Sequence, residues 1–237
     1  HDTGVSPVGE PTAGPALGLD PHSGSVWCLA VGVDAPLTVD IDGHRITARS
    51  ALIPPRLTHH LTMTGPLVSC YLDPAAQRST ACRNQFRDII HGIGTGHAKE
   101  DRLLSAPHDD TQAGRWLDIA APRELRTVDP RMELAAKQIR DDPVHAGRAA
   151  ELAADVGLSE SRFLHLFSAE IGTSLRRYRM WCRLMRAGAE LSAGANLTTA
   201  AVEAGFASSS HLSDRFKSTF GLSATQLLAA GLTIRTP

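Results

Sequence analysis

The back half of this 237-residue chain repeats itself, and the repeat limits that half to paired helical units. Leu152-Ala153-x-x-Val156-Gly157-Leu158-Ser159, followed by Phe163, Phe167 and Gly172, returns as Ala200-Ala201-x-x-Ala204-Gly205-Phe206-x-Ser208, followed by Leu212, Phe216 and Gly221. The offset is 48 residues as far as the glycine and 49 from Ser159 and Ser208 onward. One residue is inserted in the turn, and the segment beyond it stays in phase. Each copy has the physics of a helix-turn-helix. A short helix beginning near Arg148 or Thr198 ends at Gly157 or Gly205, because glycine takes the left-handed conformation that breaks a helix sharply. Ser159 or Ser208 then suits an N-cap, its hydroxyl accepting from a free backbone N–H. Phe163 and Phe167, or Leu212 and Phe216, lie four apart on one face and anchor the second helix. The residues between them face outward, where the second helix of such a motif enters the major groove of DNA.

The connector between the copies reads as one helix over 174–192, with Leu175, Tyr178, Cys182, Met185 and Ala189 as its buried stripe. At about 1.5 Å per residue it spans roughly 28 Å. Successive major-groove faces lie about 34 Å apart. Such a rod can hold two reading heads near one turn of DNA. Upstream, Met132, Ala135, Ala136 and Ile139 make a further helical stripe that Pro143 closes, and 122–130 reads as a linker.

Net charge is −1, which taken alone argues against a nucleic-acid partner. The distribution reverses that reading. Residues 129–237 hold 13 Lys and Arg against 11 Asp and Glu. Within 162–186, Arg162, Arg176, Arg177, Arg179, Arg183 and Arg186 face one acid, Glu170. Counterion release by this cluster suits DNA; a solvated, salt-bridged helix face is the alternative.

The front half has a different grammar. Leu37, Val39 and Ile41 alternate with polar residues, Asp42-Gly43 marks a two-residue turn, and Ile46 and Ala48 continue beyond it. Segments 25–33, 57–64 and 67–72 also read as strands, and 77–90 and 112–121 as short helices. Several short strands in so few residues predict a small barrel or sandwich. The Gly- and Pro-rich lead-in, 1–15, stands outside this argument. Cys28, Cys70, Cys82 and Cys182 form no CxxC pair and read as buried hydrophobes of a reduced compartment. No apolar run is long enough to span a bilayer and no signal peptide opens the sequence, so the expectation is a cytoplasmic protein with no membrane partner.

Residues 130–237 resemble the DNA-binding domain of the AraC/XylS family of transcription regulators. The resemblance is carried by Leu158-Ser159-x-Ser161-x-Phe163-x-x-x-Phe167, Arg183-Leu184-x-x-Ala187, and Gly205-Phe206-x-Ser208-x-x-His211-Leu212-Ser213-x-x-Phe216-Lys217-x-x-Phe220-Gly221. Leu222-Ser223-Ala224-Thr225-Gln226-Leu227 departs from the family in lacking the usual proline. The resemblance implies that Ser159, Glu160, Ser161, Arg162, Leu164 and His165 of the first unit face DNA. In the second unit it implies Ser208, Ser209, Ser210, His211, Ser213, Asp214 and Lys217. Arg162 suits a bidentate contact to guanine or a phosphate. Leu164 suits a thymine methyl or a partly buried spacer. Asp214 stands where many relatives carry arginine; phosphate repels it unless it accepts from cytosine N4, and it can instead pair with Arg215 or Lys217. The first unit is therefore expected to be the main grip.

Many relatives place a cupin-like barrel ahead of this domain, and Pro54-Pro55-Arg56-Leu57-Thr58-His59 resembles a cupin motif with arginine replacing its glycine. Alternation puts Leu57, His59, Leu61 and Met63 on one face, with His59 inward. His59 is the candidate effector contact, a hydrogen-bonded core histidine being the plainer reading. No His-x-His partner, catalytic triad or phosphate loop accompanies it, so no metal, no cofactor and no catalytic residue is expected.

The fold expected is α+β and multidomain: a flexible lead-in at 1–15, a cupin-like β-barrel with flanking helices at 16–125 for sensing and dimerisation, and at 126–237 an all-α domain of two tandem helix-turn-helix units joined by a long helix. The expected partners are a double-stranded DNA operator, a small-molecule effector, RNA polymerase and a second copy in a homodimer. A ligand-independent regulator whose barrel only dimerises, and a cupin-type metalloenzyme, stand as the alternatives.

Overall fold

The computed structural model describes residues 3–8, 19–107, 109–124 and 128–229. Contacts divide the chain into two units, His1–Glu124 with Ser213–Pro237, and Leu125–Leu212.

The first unit is built on antiparallel strands: β1 (Thr3–Val8), β2 (Trp27–Gly32), β3 (Leu37–Ile41), β4 (His44–Ala48), β5 (Ser50–Ile53), β6 (His60–Met63), β7 (Leu67–Leu72), β8 (Phe86–Ile90) and β9 (Ile93–His97). They form a six-stranded sheet in the order β1-β7-β2-β5-β9-β8 and a three-stranded sheet in the order β4-β3-β6. Among the described residues no pairing closes the two sheets into a ring, so the cupin-like barrel is open. The predicted turn at Asp42-Gly43 is present, both residues having positive φ (47° and 81°) as a type I′ hairpin requires. Part of the lead-in, Thr3–Val8, pairs along β7. The rest of 1–15 lies outside the described residues.

One expected helix is replaced. The segment 77–90 holds only the short helix α1 (Ser79–Arg83) and then turns into β8. Its β-branched Ile89-Ile90 leads into His91-Gly92, both at positive φ, and this second tight turn sends the chain back as β9. Helix α2 (Asp110–Ala120) then lays Ala113, Trp116, Leu117 and Ala120 against Leu29, Val31, Leu52 and Cys70 of the large sheet. Each large apolar side chain buried there contributes about 1.5–3 kcal/mol. All four cysteines are buried thiols.

In the second unit α3 (Pro130–Asp141) buries Met132, Ala135, Ala136 and Ile139, the stripe read from the sequence. Helices α4 (Ala149–Asp155), α5 (Glu160–Ile171), α6 (Leu175–Ser192) and α7 (Leu197–Glu203) follow, and α8 (Ser209–Phe220) runs from this unit into the first. Phe163 packs on Phe167, and Phe167 on Tyr178, each with ring centroids 5.7 Å apart. The connector α6 is a single helix, but its buried face differs from the simple stripe. Trp181, Leu184, Ala187, Gly188 and Leu191 are buried, while Met185 is half-buried and Ala189 exposed. The cause is its neighbours: α6 meets α3 and α5, and also α7, so its buried face turns along its length. A last helix, α9 (Ala224–Ala229), opens with a reciprocal box: Ser223 N–H donates to Gln226 Oε1 (2.9 Å), and Gln226 N–H to Ser223 Oγ (3.2 Å). Among the described residues no helix is long and apolar enough to cross a membrane.

Candidate nucleic-acid interface

The two turns are the same hydrogen-bonded device. In the first, Gly157 N–H donates to Ala154 O (3.0 Å) and Leu158 N–H to Ala153 O (2.9 Å), with Gly157 at φ 68°. In the second, Gly205 N–H donates to Val202 O (3.0 Å) and Phe206 N–H to Ala201 O (2.8 Å), with Gly205 at φ 72°. These are paired Schellman closures, which satisfy carbonyls left over at a helix end. The extra residue of the second copy, Ala207, falls after the closure and before the cap, so it lengthens the turn without disturbing either helix.

Each following helix opens on its serine. Ser159 Oγ accepts from Arg162 N–H (3.4 Å) and Ser208 Oγ from His211 N–H (3.1 Å). Helix α5 then presents Glu160, Ser161, Arg162, Leu164 and His165 to solvent, while Phe163, Phe167 and Ile171 are buried. Leu164 is 38% exposed, a large apolar side chain on an otherwise polar face.

The second face is less open. Ser210, Asp214 and Lys217 are exposed; Ser209, His211 and Ser213 are half-buried. His211 sets its ring edge-on to Phe206 at 5.4 Å, so it is partly used inside the turn. Leu212 and Phe216 are buried as the anchors. Within the first unit, Lys217 Nζ pairs with Asp20 Oδ2 at 2.8 Å. That hydrogen bond and the Asp20 charge hold the ammonium above its ordinary pKa, with a smaller contribution from Asp214. The charge of Asp214 reaches Lys217, whose hydrogen bond goes to Asp20.

The connector arginines divide by role. Arg186 pairs with Glu190 one turn on (2.9 Å). Arg179 donates to Gly147 O (2.5 Å) and Arg183 to Pro143 O (3.3 Å), so both tie α6 to the loop before α4. Arg176 and Arg177 are exposed. Arg148 caps α4, where Glu151 accepts from its N–H (2.7 Å) and its guanidinium (2.9 Å). Sequence reasoning missed these loop contacts, because the carbonyls concerned lie 32 and 40 residues away from their donors.

His59, the candidate effector contact, points inward and is buried. Its Nδ1 hydrogen-bonds Leu57 O (2.9 Å), and its ring lies 4.2 Å from that of His22. The two residues also exchange backbone hydrogen bonds of 3.0 Å. Nothing in the sequence marks His22 as the partner. Burial, and then the neighbouring His59, push the His22 imidazole down to about 4. Burial lowers His59 as well. No group of three or more His, Cys, Asp or Glu able to hold a metal ion occurs among the described residues.

Residues 152–230 match the family model described as a helix-turn-helix domain. No curated protein matches the chain. Among solved structures, the chain is similar to the apo form of a ToxT point variant from Vibrio cholerae strain SCE256, with 11% identity, a TM-score of 0.55, and 95% of this chain and 96% of that one covered. It is also similar to wild-type ToxT of the same strain bound to an unsaturated fatty acid (12% identity, TM-score 0.56, 95% of each chain) and to ToxT from Vibrio cholerae O395 (13%, 0.54, 96% of each chain). At these identities the likeness concerns the fold, and it extends over nearly the whole length of both chains.

Proposed function

We propose that the chain is a transcription regulator of the AraC/XylS kind and that it reads a double-stranded operator chiefly through α5, on a helix-turn-helix domain matched over residues 152–230. The observation that carries this reading is the pair of Schellman-closed turns, each delivering a serine-capped helix of 12 residues with its aromatic or apolar anchors buried and its polar side outward. In this reading Ser161, Arg162, Leu164 and His165 meet base edges. Ser159, with the backbone N–H groups of its turn, meets phosphate, and Glu160 fixes register beside it. The second helix contributes through Ser208, Ser209, Ser210, His211 and Ser213, with Asp214 opposing phosphate and Lys217 shared with Asp20. Selection of bound fragments from a random DNA library tests this: a recovered site with one well-defined half and a weaker one about one helical turn away supports it, and no enrichment overturns it.

The first unit is proposed as the part that answers a small-molecule effector. The ToxT structure with a bound unsaturated fatty acid supports an effector-responsive fold of this kind. His59 then acts from within its pair with His22, shaping the interior. A homodimer is supported by the edge strand β8, which leaves Ile89 75% and Ile90 43% exposed. RNA polymerase is the further partner this reading entails, the cytoplasm is its setting, and regulation rather than catalysis is its output. Thermal shift against a metabolite set separates an effector-controlled regulator, which its ligand stabilises, from a ligand-independent one.

A further inference from the structure

The second unit holds a cleft of about 430 Å³ bounded by α4, α5 and the first half of α6. Four arginines line it, Arg148, Arg176, Arg179 and Arg183. Leu164 and Leu175 supply its apolar wall. No carboxylate is among the lining residues, and the nearby Glu151 is engaged by Arg148. The volume and the mixture of apolar wall with a few fixed polar groups are those of small-molecule sites.

Two of the arginines are held in place beforehand. The carbonyls of Gly147 and Pro143 orient Arg179 and Arg183, which lowers the cost of ordering them around a ligand. The Nε of Arg179 is buried and has no hydrogen-bond partner in the protein, so the cleft's ligand is expected at the guanidinium's outer nitrogens. Burial first, and then the charge of Arg183, lower the Arg179 pKa. Arg176 stands exposed at the rim. A bare phosphate satisfies the charges and leaves the apolar wall wet; a hydrocarbon chain alone leaves the guanidiniums unmatched.

We propose that this cleft binds a small organic oxyanion with an apolar body, an aryl or alkyl phosphate or carboxylate, gripped by Arg176, Arg179 and Arg183 with its body on Leu164 and Leu175. The site goes beyond the effector role proposed for the first unit, because it lies in the DNA-reading unit itself. Leu164 belongs both to its wall and to the reading face of α5, so an occupant there alters the surface offered to DNA.

The test uses the full chain with nitrogen-15-labelled arginine and follows side-chain Nε–H resonances by NMR. The probe is phenyl phosphate. The Arg176 and Arg179 signals should shift and saturate with an apparent Kd of about 1 mM or tighter. Exposed Arg87 in β8 should not move. Inorganic phosphate should bind at least about tenfold more weakly, since it lacks the apolar contact. Arg176→Gln and Arg179→Gln should each weaken phenyl phosphate about tenfold. Arg176 is exposed, so the first of these variants keeps its fold. Shifts of equal size at Arg87, no saturable shift at Arg179, or equal affinity for inorganic phosphate would each overturn the proposal. A response to duplex DNA without one to phenyl phosphate would make the cleft a backbone clamp and likewise overturn it.

Discussion

Lys217 Nζ sits 2.8 Å from Asp20 Oδ2, so the single lysine of the second reading helix has a carboxylate partner before any phosphate approaches. Four residues on, Gly221 O accepts from Asp20 N–H at 3.0 Å, and Phe220 sets its ring edge-on to Tyr71. The last turns of α8 are thus built into the first unit. The two helices differ in this respect: α5 carries an exposed arginine, Arg162, on its outward face, while Lys217 of α8 is shared with an acid.

Arg162→Ala should weaken binding to the selected operator by about 1–3 kcal/mol if the guanidinium reads a base. Binding to unrelated DNA should fall much less, and the melting temperature should hold, because Arg162 is exposed. Equal losses on operator and unrelated DNA would make Arg162 a phosphate contact.

Asp214→Arg replaces an acid on α8 with a cation. General DNA affinity should rise, and the slope of log K against log salt should steepen by about 1 for one added phosphate contact. Titration at three or more salt concentrations checks it. An unchanged slope would place position 214 away from the duplex.

Gly157→Ala and Gly221→Ala should differ in cost although both glycines have positive φ, 68° and 75°. A Cβ on Gly157 meets nothing within 4 Å, so only the left-handed strain of about 1–2 kcal/mol is expected. A Cβ on Gly221 would fall 2.6 Å from His22 Nδ1 and 2.8 Å from Asp20 O, so that variant should be the less stable. Chemical denaturation of the two proteins side by side measures the difference.

Stability should fall on acidification through the His22 imidazole. Its folded-state value is about 4, against an ordinary value near 6.5, so the unfolded chain binds the proton more readily. Stability from this group is therefore complete above about pH 7 and is lost as pH falls from 6.5 towards 4, with a loss of about 2 kcal/mol by pH 5. His59 shifts the same way and adds to the slope. His22→Gln should flatten the pH dependence of the unfolding free energy between about pH 7 and pH 5. An equally steep profile in that variant would show that the dependence comes from elsewhere.

The sequence by itself determined whatever rests on local geometry and short spacing. The repeat, Gly157 and Gly205, the caps Ser159 and Ser208, and the anchor pairs Phe163/Phe167 and Leu212/Phe216 follow from helix period and terminal hydrogen bonds, which act within about six residues. The hairpin at Asp42-Gly43 and the inward turn of His59 are local in the same sense. The tertiary structure decided the rest. His91-Gly92 became a turn because β9 was there to pair with β8. The buried face of α6 turned because α7 packs on it. The partners of Lys217, His22 and Arg179 lie 197, 37 and 32 residues away in Asp20, His59 and Gly147. Such contacts carry no signal of spacing, since packing selects them only after the local elements exist. For that reason the two helix-turn-helix units and the buried anchors of their second helices were legible in the chain, whereas the Asp20 partner of Lys217, and the arginine cleft beside α5, emerged only from the fold.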